Sequence, residues 1–266
     1  SLEEWKEKRY NYFKSVSPNF NDNTLVLVKI FEVKKNLKEE RLSLGKLIAE
    51  NNIEILESIY KTNIYHTIKF DNINNKFLNN IFLKEILYFI NKLNINIKHV
   101  LIIGLGNINN TADSIGPITI NKIKVNYNIK GLDNINNIKV SAFIPGILGC
   151  TGINTDKIIK CISNLIKPDL VILIDSFITN NINYINQTIE ISNTGIKPGS
   201  GILNNNKLID YNLLKKPIIT IGIPVSLEYI NNNKTMLLIN SNIDLYVSHI
   251  TDLISNTLNT IFNKYF

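Results

Sequence analysis

The sequence predicts an α/β fold with a mainly parallel sheet flanked by helices, and three observations carry that expectation. First, His99–Val100–Leu101–Ile102–Ile103–Gly104–Leu105 and Asp169–Leu170–Val171–Ile172–Leu173–Ile174 are short, continuous, β-branched apolar runs. Such runs read as strands buried on both faces. Second, from His99 onward the chain repeats strand, loop and helix, the rhythm of parallel strands covered by helices. Third, each run delivers an aspartate: Asp113 after Gly106–Asn107 and Asn110–Thr111–Ala112, and Asp175 directly. In open α/β sheets ligands gather outside the carboxyl ends of strands, so these two carboxylates are a candidate acid/base couple.

The elements follow in order. Residues 1–98 read as an N-terminal extension packed on the core. Within it Thr24–Ile30 is strand-like, and Ile64–Tyr65–His66–Thr67–Ile68–Lys69–Phe70 alternates as a half-buried strand does. Between Lys76 and Leu93, apolar Phe77, Leu78, Ile81, Phe82, Ile86, Leu87 and Ile90 recur at helical spacing. Residues 99–266 form the α/β core. The strand at 99–105 leads to a helix over about 114–125, and a strand at 138–143 to the turn Pro145–Gly146–Ile147–Leu148–Gly149–Cys150–Thr151–Gly152. A helix over 156–166 follows, with Asn154 or Thr155 as its N-cap. The strand at 170–174 closes on Asp175, Thr188–Ser192 alternates like an edge strand, and Pro217–Ile223 is again a continuous apolar strand. Ile243–Phe262 reads as a long amphipathic helix. Asn-rich patches at 180–186, 204–206 and 231–233 read as loops.

Composition narrows the function. A hydrophobic fraction of 44% supports a core, and the formal charge of +7 comes from 29 basic and 22 acidic residues spread along the chain. The densest basic cluster, Lys34–Lys35 to Arg41, is interleaved with Glu39 and Glu40, and no basic stripe carries stacking aromatics, so nucleic-acid binding is not expected. No apolar stretch approaches the roughly 20 residues of a bilayer span. The opening residues carry no signal pattern, and a soluble cytoplasmic protein is expected. Cys150 and Cys161 have no metal-motif spacing and read as buried thiols. His66, His99 and His249 are isolated and read as structural or surface residues. No cofactor or metal is implied.

Two glycine motifs fail as signatures. Gly104–Leu105–Gly106 lacks the third glycine of a dinucleotide loop, since Asn109 stands there, and Pro198 fills the first-glycine position of a nucleophile elbow around Ser200. Asp113 alone has a structural alternative as the N-cap of the helix it precedes, and Asp175 as a loop residue after a strand. Taken jointly, two aspartates at neighbouring strand ends with glycine turns between them can share a proton. The ionised one takes a proton from water and the protonated one donates to a carbonyl.

These residues resemble the germination protease family of spore-forming bacteria, atypical aspartic endopeptidases. Gly104–Leu105–Gly106–Asn107 with Thr111, Asp113 and Gly116–Pro117 is similar to the family's GLGN…TPDALGP stretch. The turn at 145–153 resembles APGVMGLTGI, and Pro168 to Asp175 resembles PDLVIAIDAL. Residues 186–189 and 193–201 resemble NTTIQIADTGIxPGSG, and 219–224 resembles IAIGVPT. The resemblance implies a phosphorylase/hydrolase-like α/β fold related to hydrogenase-maturation peptidases, with the essential carboxylates on Asp113 and Asp175. It implies an endopeptidase that degrades small acid-soluble spore proteins during germination, made as a zymogen in the forespore and assembled as a homotetramer. Gly106, Asn107, Gly149, Thr151, Gly199 and Ser200 are then expected to shape or wall the substrate site.

The chain departs from the family at Ala112 before the first aspartate, at Ser176–Phe177 after the second, and at Val225–Ser226 after Pro224. Two alternatives stay open on the residues: a metal-dependent hydrolase of the same architecture, and a diverged sporulation protein that only binds a partner.

Overall fold

The computed structural model describes residues 29–33, 42–49, 52–129, 138–199, 206–231 and 234–264. Among the described residues ten strands, β1 (Lys29–Val33), β2 (Leu42–Ala49), β3 (Ile53–Tyr60), β4 (Asn63–Lys69), β5 (His99–Gly104), β6 (Lys139–Phe143), β7 (Leu170–Thr179), β8 (Thr188–Ser192), β9 (Ile218–Asn231) and β10 (Lys234–Ile239), form one sheet. Its order is β1-β2-β3-β4-β8-β9-β7-β5-β6, with β10 paired to β9. Parallel pairing joins β6, β5, β7 and β9. The other pairings, from β1 through β8 to β9 and from β9 to β10, are antiparallel. The α/β class holds, and the parallel part is this four-strand core, with helices in each connection between its strands.

The helices are α1 (Leu78–Lys92), α2 (Ile115–Asn121), α3 (Leu148–Thr151), α4 (Thr155–Ile166), α5 (Tyr211–Leu214) and α6 (Ile243–Lys264). Strand alternation divides the core into two layers. Val100 and Ile102 of β5 with Leu170, Ile172 and Ile174 of β7 pack against α1, α2 and α6. Leu101, Ile103, Val171 and Leu173 pack on the opposite face with Ile159 of α4 and Leu214 of α5. Burying every residue of β5 explains its unbroken apolar run. β4 shows the half-buried alternation expected of it.

Several boundaries differ from expectation. β7 does not stop before Asp175 but runs to Thr179, because β9 continues beside it across a register shift at Phe177/Ile178. Thr188–Ser192 is an interior strand, since β4 pairs along its outer edge. The helix after Asp113 spans only Ile115–Asn121. Beyond it the chain is tied to α6 by Lys122 Nζ donating to Asp252 at 2.8 Å and Lys124 N–H to Asn259 at 2.9 Å. Asn154 is the N-cap of α4, without a side-chain bond. Asn231 ends a strand, Asn206 is buried, and 180–186 is a loop. The strand-like run at 24–30 lies outside the described residues apart from Lys29 and Ile30, as do Asn204 and Asn205. Cys150 and Cys161 are exposed: Cys150 lies on the short α3 turn, and Cys161 on the outer side of α4, whose Ile159 and Ser163 face inward. Among the described residues no helix is long and apolar enough to cross a membrane.

His66 is structural, and more so than its isolation in sequence implied. It is fully buried, accepts or donates at Nε2 with Glu57 at 2.8 Å, and pairs through Nδ1 with Glu85 of α1. Tyr88 stacks on its ring. An imidazole between two buried carboxylates ties the β3–β4 hairpin to α1, since neither carboxylate tolerates burial unpaired.

Candidate functional site

The parallel core brings the carboxyl ends of β5, β6, β7 and β9 to one edge, and the candidate site is built there. After β5 the chain stays with the sheet for one more residue, Leu105 N–H donating to Ile174 O at 2.8 Å. It then turns at Gly106, whose φ of +113° lies in the region that favours glycine. A Cβ there would stand 2.1 Å from Asp113 O and 2.9 Å from its carboxylate. Gly106 is therefore small because Asp113 lies directly over it. Asn107 N–H donates to Asp113 O at 2.8 Å, and the Asn107 side chain accepts from Asn109 N–H at 3.1 Å, closing the loop on itself. Gly116 permits the first turn of α2 to lie on the strand ends; a Cβ on it would meet Leu105 O at 2.2 Å.

Asp113 ends a short 3₁₀ turn, Thr111–Asp113, and is not the cap of α2: Ser114 holds the cap position, with no side-chain cap bond. Ala112 packs against the layer formed by α1, α2 and α6. Asp175 belongs to the other side. It follows Val171 and Leu173 in the strand alternation, while Ser176 follows Ile172 and Ile174. The two aspartates thus reach the edge from opposite faces of the sheet, with Ser176 between them. Ser176 N–H donates to Asp175 Oδ1 at 2.9 Å, and its hydroxyl lies 3.4 Å from Asp113 Oδ1.

Their environments are unequal. Asp175 is 7% exposed, and burial, reinforced by the charge of Asp113 and opposed by the Ser176 N–H, pushes its pKa up to about 8. Asp113 is half-buried; burial raises its pKa too, against the Asn107 N–H and the Ser176 hydroxyl, which favour its ionised form. Near neutral pH the arrangement holds a proton on Asp175 opposite a more readily ionised Asp113. One carboxyl that can donate and one carboxylate that can accept are the two halves of acid/base activation of water. Glu190 sits on the same sheet face, two strands from Asp175 across Gly222, and burial raises its pKa as well. Phe177 covers Gly222, its ring 3.1 Å from where a Cβ would be.

The remaining expected residues divide. Gly106 and Asn107 are brought to Asp113. Gly149 and Thr151 lie in the exposed turn after β6, at the same edge of the sheet; Thr151 spends its hydroxyl on its own turn, donating to Ile147 O and Ile153 O. Gly199 stands exposed in a turn with φ +63°. It follows β8, which runs antiparallel to β9 and so leads away from the aspartates, toward the opposite edge. Ser200 lies outside the described residues. Ser176 was not expected at the site, although its position directly after a strand-end aspartate was a usable signal. Among the described residues no group of three or more His, Cys, Asp or Glu is placed to hold a metal ion.

The sequence is similar to known proteins over most of its length. The germination protease family model matches residues 14–250. A germination protease of Caldanaerobacter subterraneus is 43% identical over 136 residues, covering 49% of this chain and 41% of its own. That of Priestia megaterium is 37% identical over 156 residues (57% and 42%), and that of Bacillus subtilis 40% over 153 (56% and 42%). The chain spans about two fifths of the length of these relatives. A [NiFe] hydrogenase maturation protease from Thermococcus kodakarensis superposes with a TM-score of 0.37 at 14% identity, covering 64% of this chain and 97% of its own, a slight likeness. With the family match extending over most of the sequence, the chain belongs to the germination protease family.

Proposed function

We propose that the chain is an endopeptidase that hydrolyses small acid-soluble spore proteins with Asp113 and Asp175 as an acid/base pair. The observation that carries this reading is the pair itself: two carboxylates at neighbouring strand ends, one buried enough to keep its proton near neutral pH and one better hydrated. Ionised Asp113 takes a proton from water as the hydroxyl adds to the peptide carbonyl carbon, and Asp175 gives its proton to the carbonyl oxygen. Collapse of the tetrahedral adduct returns a proton to Asp175 from the adduct's hydroxyl, while the proton on Asp113 passes to the departing amine. The pair ends as it began. Gly106 and Asn107 hold Asp113 in place, and the turn carrying Gly149 and Thr151 lines the approach from the β6 side.

Family membership supports protein substrates, a zymogen form, a homotetramer and action in the forespore or spore core. The test is mass spectrometry of a purified small acid-soluble spore protein incubated with the chain, with Asp175→Asn and with Asp113→Asn, each with and without EDTA. Discrete EDTA-resistant fragments from the wild type, and rates lower by at least about 100-fold in either variant, are expected. Intact substrate in every tube, with a folded protein, overturns the reading.

A further inference from the structure

We propose that Ser176 is a positioning residue that assigns the two roles within the pair, its hydroxyl favouring Asp113 as the proton acceptor while its main-chain N–H orients Asp175 as the donor. The inference rests on the peptidase reading above and deepens it.

The geometry follows from strand alternation. Asp175 and Ser176 are consecutive in β7, so their side chains leave opposite faces of the sheet. Asp113 arrives on the face of Ser176, carried by the 3₁₀ turn, and Asp175 points to the other. Nothing in the strand alone would tell the two carboxylates apart beyond depth of burial. Ser176 does, because it offers one donor to each: the hydroxyl 3.4 Å from Asp113 Oδ1 and the N–H 2.9 Å from Asp175 Oδ1.

The N–H is rigid and also fixes the carboxyl plane of Asp175, but burial outweighs it there and the proton stays. The hydroxyl is free to rotate toward Asp113, and a donor to a carboxylate stabilises its charge. Among the described residues the donors acting on Asp113 are the Asn107 N–H and the Ser176 hydroxyl, while the charge of Asp113 acts in turn on Asp175. Asn107 N–H is main chain and common to any residue at that position. The hydroxyl of Ser176 is thus the side-chain donor that biases the pair. Substrate binding, by excluding water, shortens and strengthens such a contact.

The experiment compares wild type, Ser176→Ala and Ser176→Thr by carboxyl 13C NMR titration, with Asp113→Asn used to assign the Asp113 signal. Loss of the hydroxyl is expected to move the Asp113 midpoint up by about 0.5–1 pH unit in Ser176→Ala, and threonine is expected to restore it. On spore-protein substrate the acid limb of kcat/KM moves the same way in Ser176→Ala, with KM changed less than kcat. An Asp113 midpoint unchanged in the folded alanine variant overturns the inference, whatever the activity. Because the titration needs no turnover, the two claims separate. A shifted midpoint in a protein that cleaves nothing keeps the role of Ser176 and removes the peptidase reading. Cleavage with an unmoved midpoint does the reverse.

Discussion

Replacing Asp175 by asparagine changes the protein's pH–stability profile in a way that follows from its burial. With a folded pKa of about 8 against an ordinary aspartate value near 3.8, the folded chain keeps a proton that the unfolded chain has released over roughly four pH units. Stability is therefore fully present below pH about 4 and declines as pH rises to about 8, at up to about 1.4 kcal/mol per pH unit, or about 6 kcal/mol in all as an upper bound. Asparagine is neutral throughout and keeps the Oδ1 that accepts from Ser176 N–H. Its own desolvation cost does not vary with pH. The difference in unfolding free energy between Asp175→Asn and wild type should thus grow with pH, steeply between pH 5 and 7, and level near pH 8. Since the two carboxylates titrate as a pair, the levelling point belongs to both. Urea unfolding followed by far-UV circular dichroism at pH 5, 6, 7 and 8, at fixed ionic strength, measures it. Parallel profiles, with a difference constant to within about 0.5 kcal/mol, would refute the claim that Asp175 holds its proton in the folded state.

Three further outcomes are expected. Gly106→Ala forces a side chain into φ +113° and against Asp113 O, and should cost at least about 2 kcal/mol in urea unfolding while disturbing the Asp113 loop. Glu190→Gln removes a half-buried carboxylate whose pKa burial raises, so it should gain stability over wild type as pH rises above about 4.5 and show no gain at pH 4. His66→Ala leaves Glu57 and Glu85 buried without the imidazole between them and should cost about 3–5 kcal/mol, read as a lowered thermal midpoint.

The four-strand core and the aspartate edge were legible because burial on both faces writes itself into sequence as unbroken β-branched runs, and β5, β7 and the first half of β9 obey it. The antiparallel wing was harder to read. In β3 the inward positions run Ile53, Ile55, Glu57 and then the half-buried Ile59, and the glutamate breaks the apolar alternation that would announce a strand. That glutamate is accommodated by His66, brought beside it from β4, and by the Tyr88 hydroxyl of α1, a fact of tertiary structure. β10 carries Met236, Leu237, Leu238 and Ile239, all exposed, so its face pattern says nothing of pairing with β9. The interior position of β8 depends on β4, more than a hundred residues earlier. At the site, Asp113 and Asp175 were found from their position after apolar runs. Ser176 was passed over because adjacency in a strand places neighbouring side chains on opposite faces, and its value appears only when the turn carrying Asp113 is brought to the same face.

Folding and chemistry compete at Asp175. The residues that make β7 a good central strand, Leu170 to Ile174, are the ones that strip water from the carboxyl that follows them. Burial drives the sheet together and, at its last buried position, denies a charge its hydration, so the carboxyl keeps a proton that an exposed aspartate would have lost. Extending β7 past Asp175, with β9 alongside, deepens this effect; a strand ending at Ile174 would have left Asp175 in a solvated loop with an ordinary acidity and no proton to donate at neutral pH. The strand's length is therefore a chemical variable. A change that frays β7 beyond Asp175, such as a proline at Ile178, should lower the acidity midpoint of Asp175 toward the ordinary range before it unfolds the core, and carboxyl 13C titration of that variant would detect it. A midpoint that stays near 8 in a frayed strand would mean that something other than burial by the sheet holds the proton.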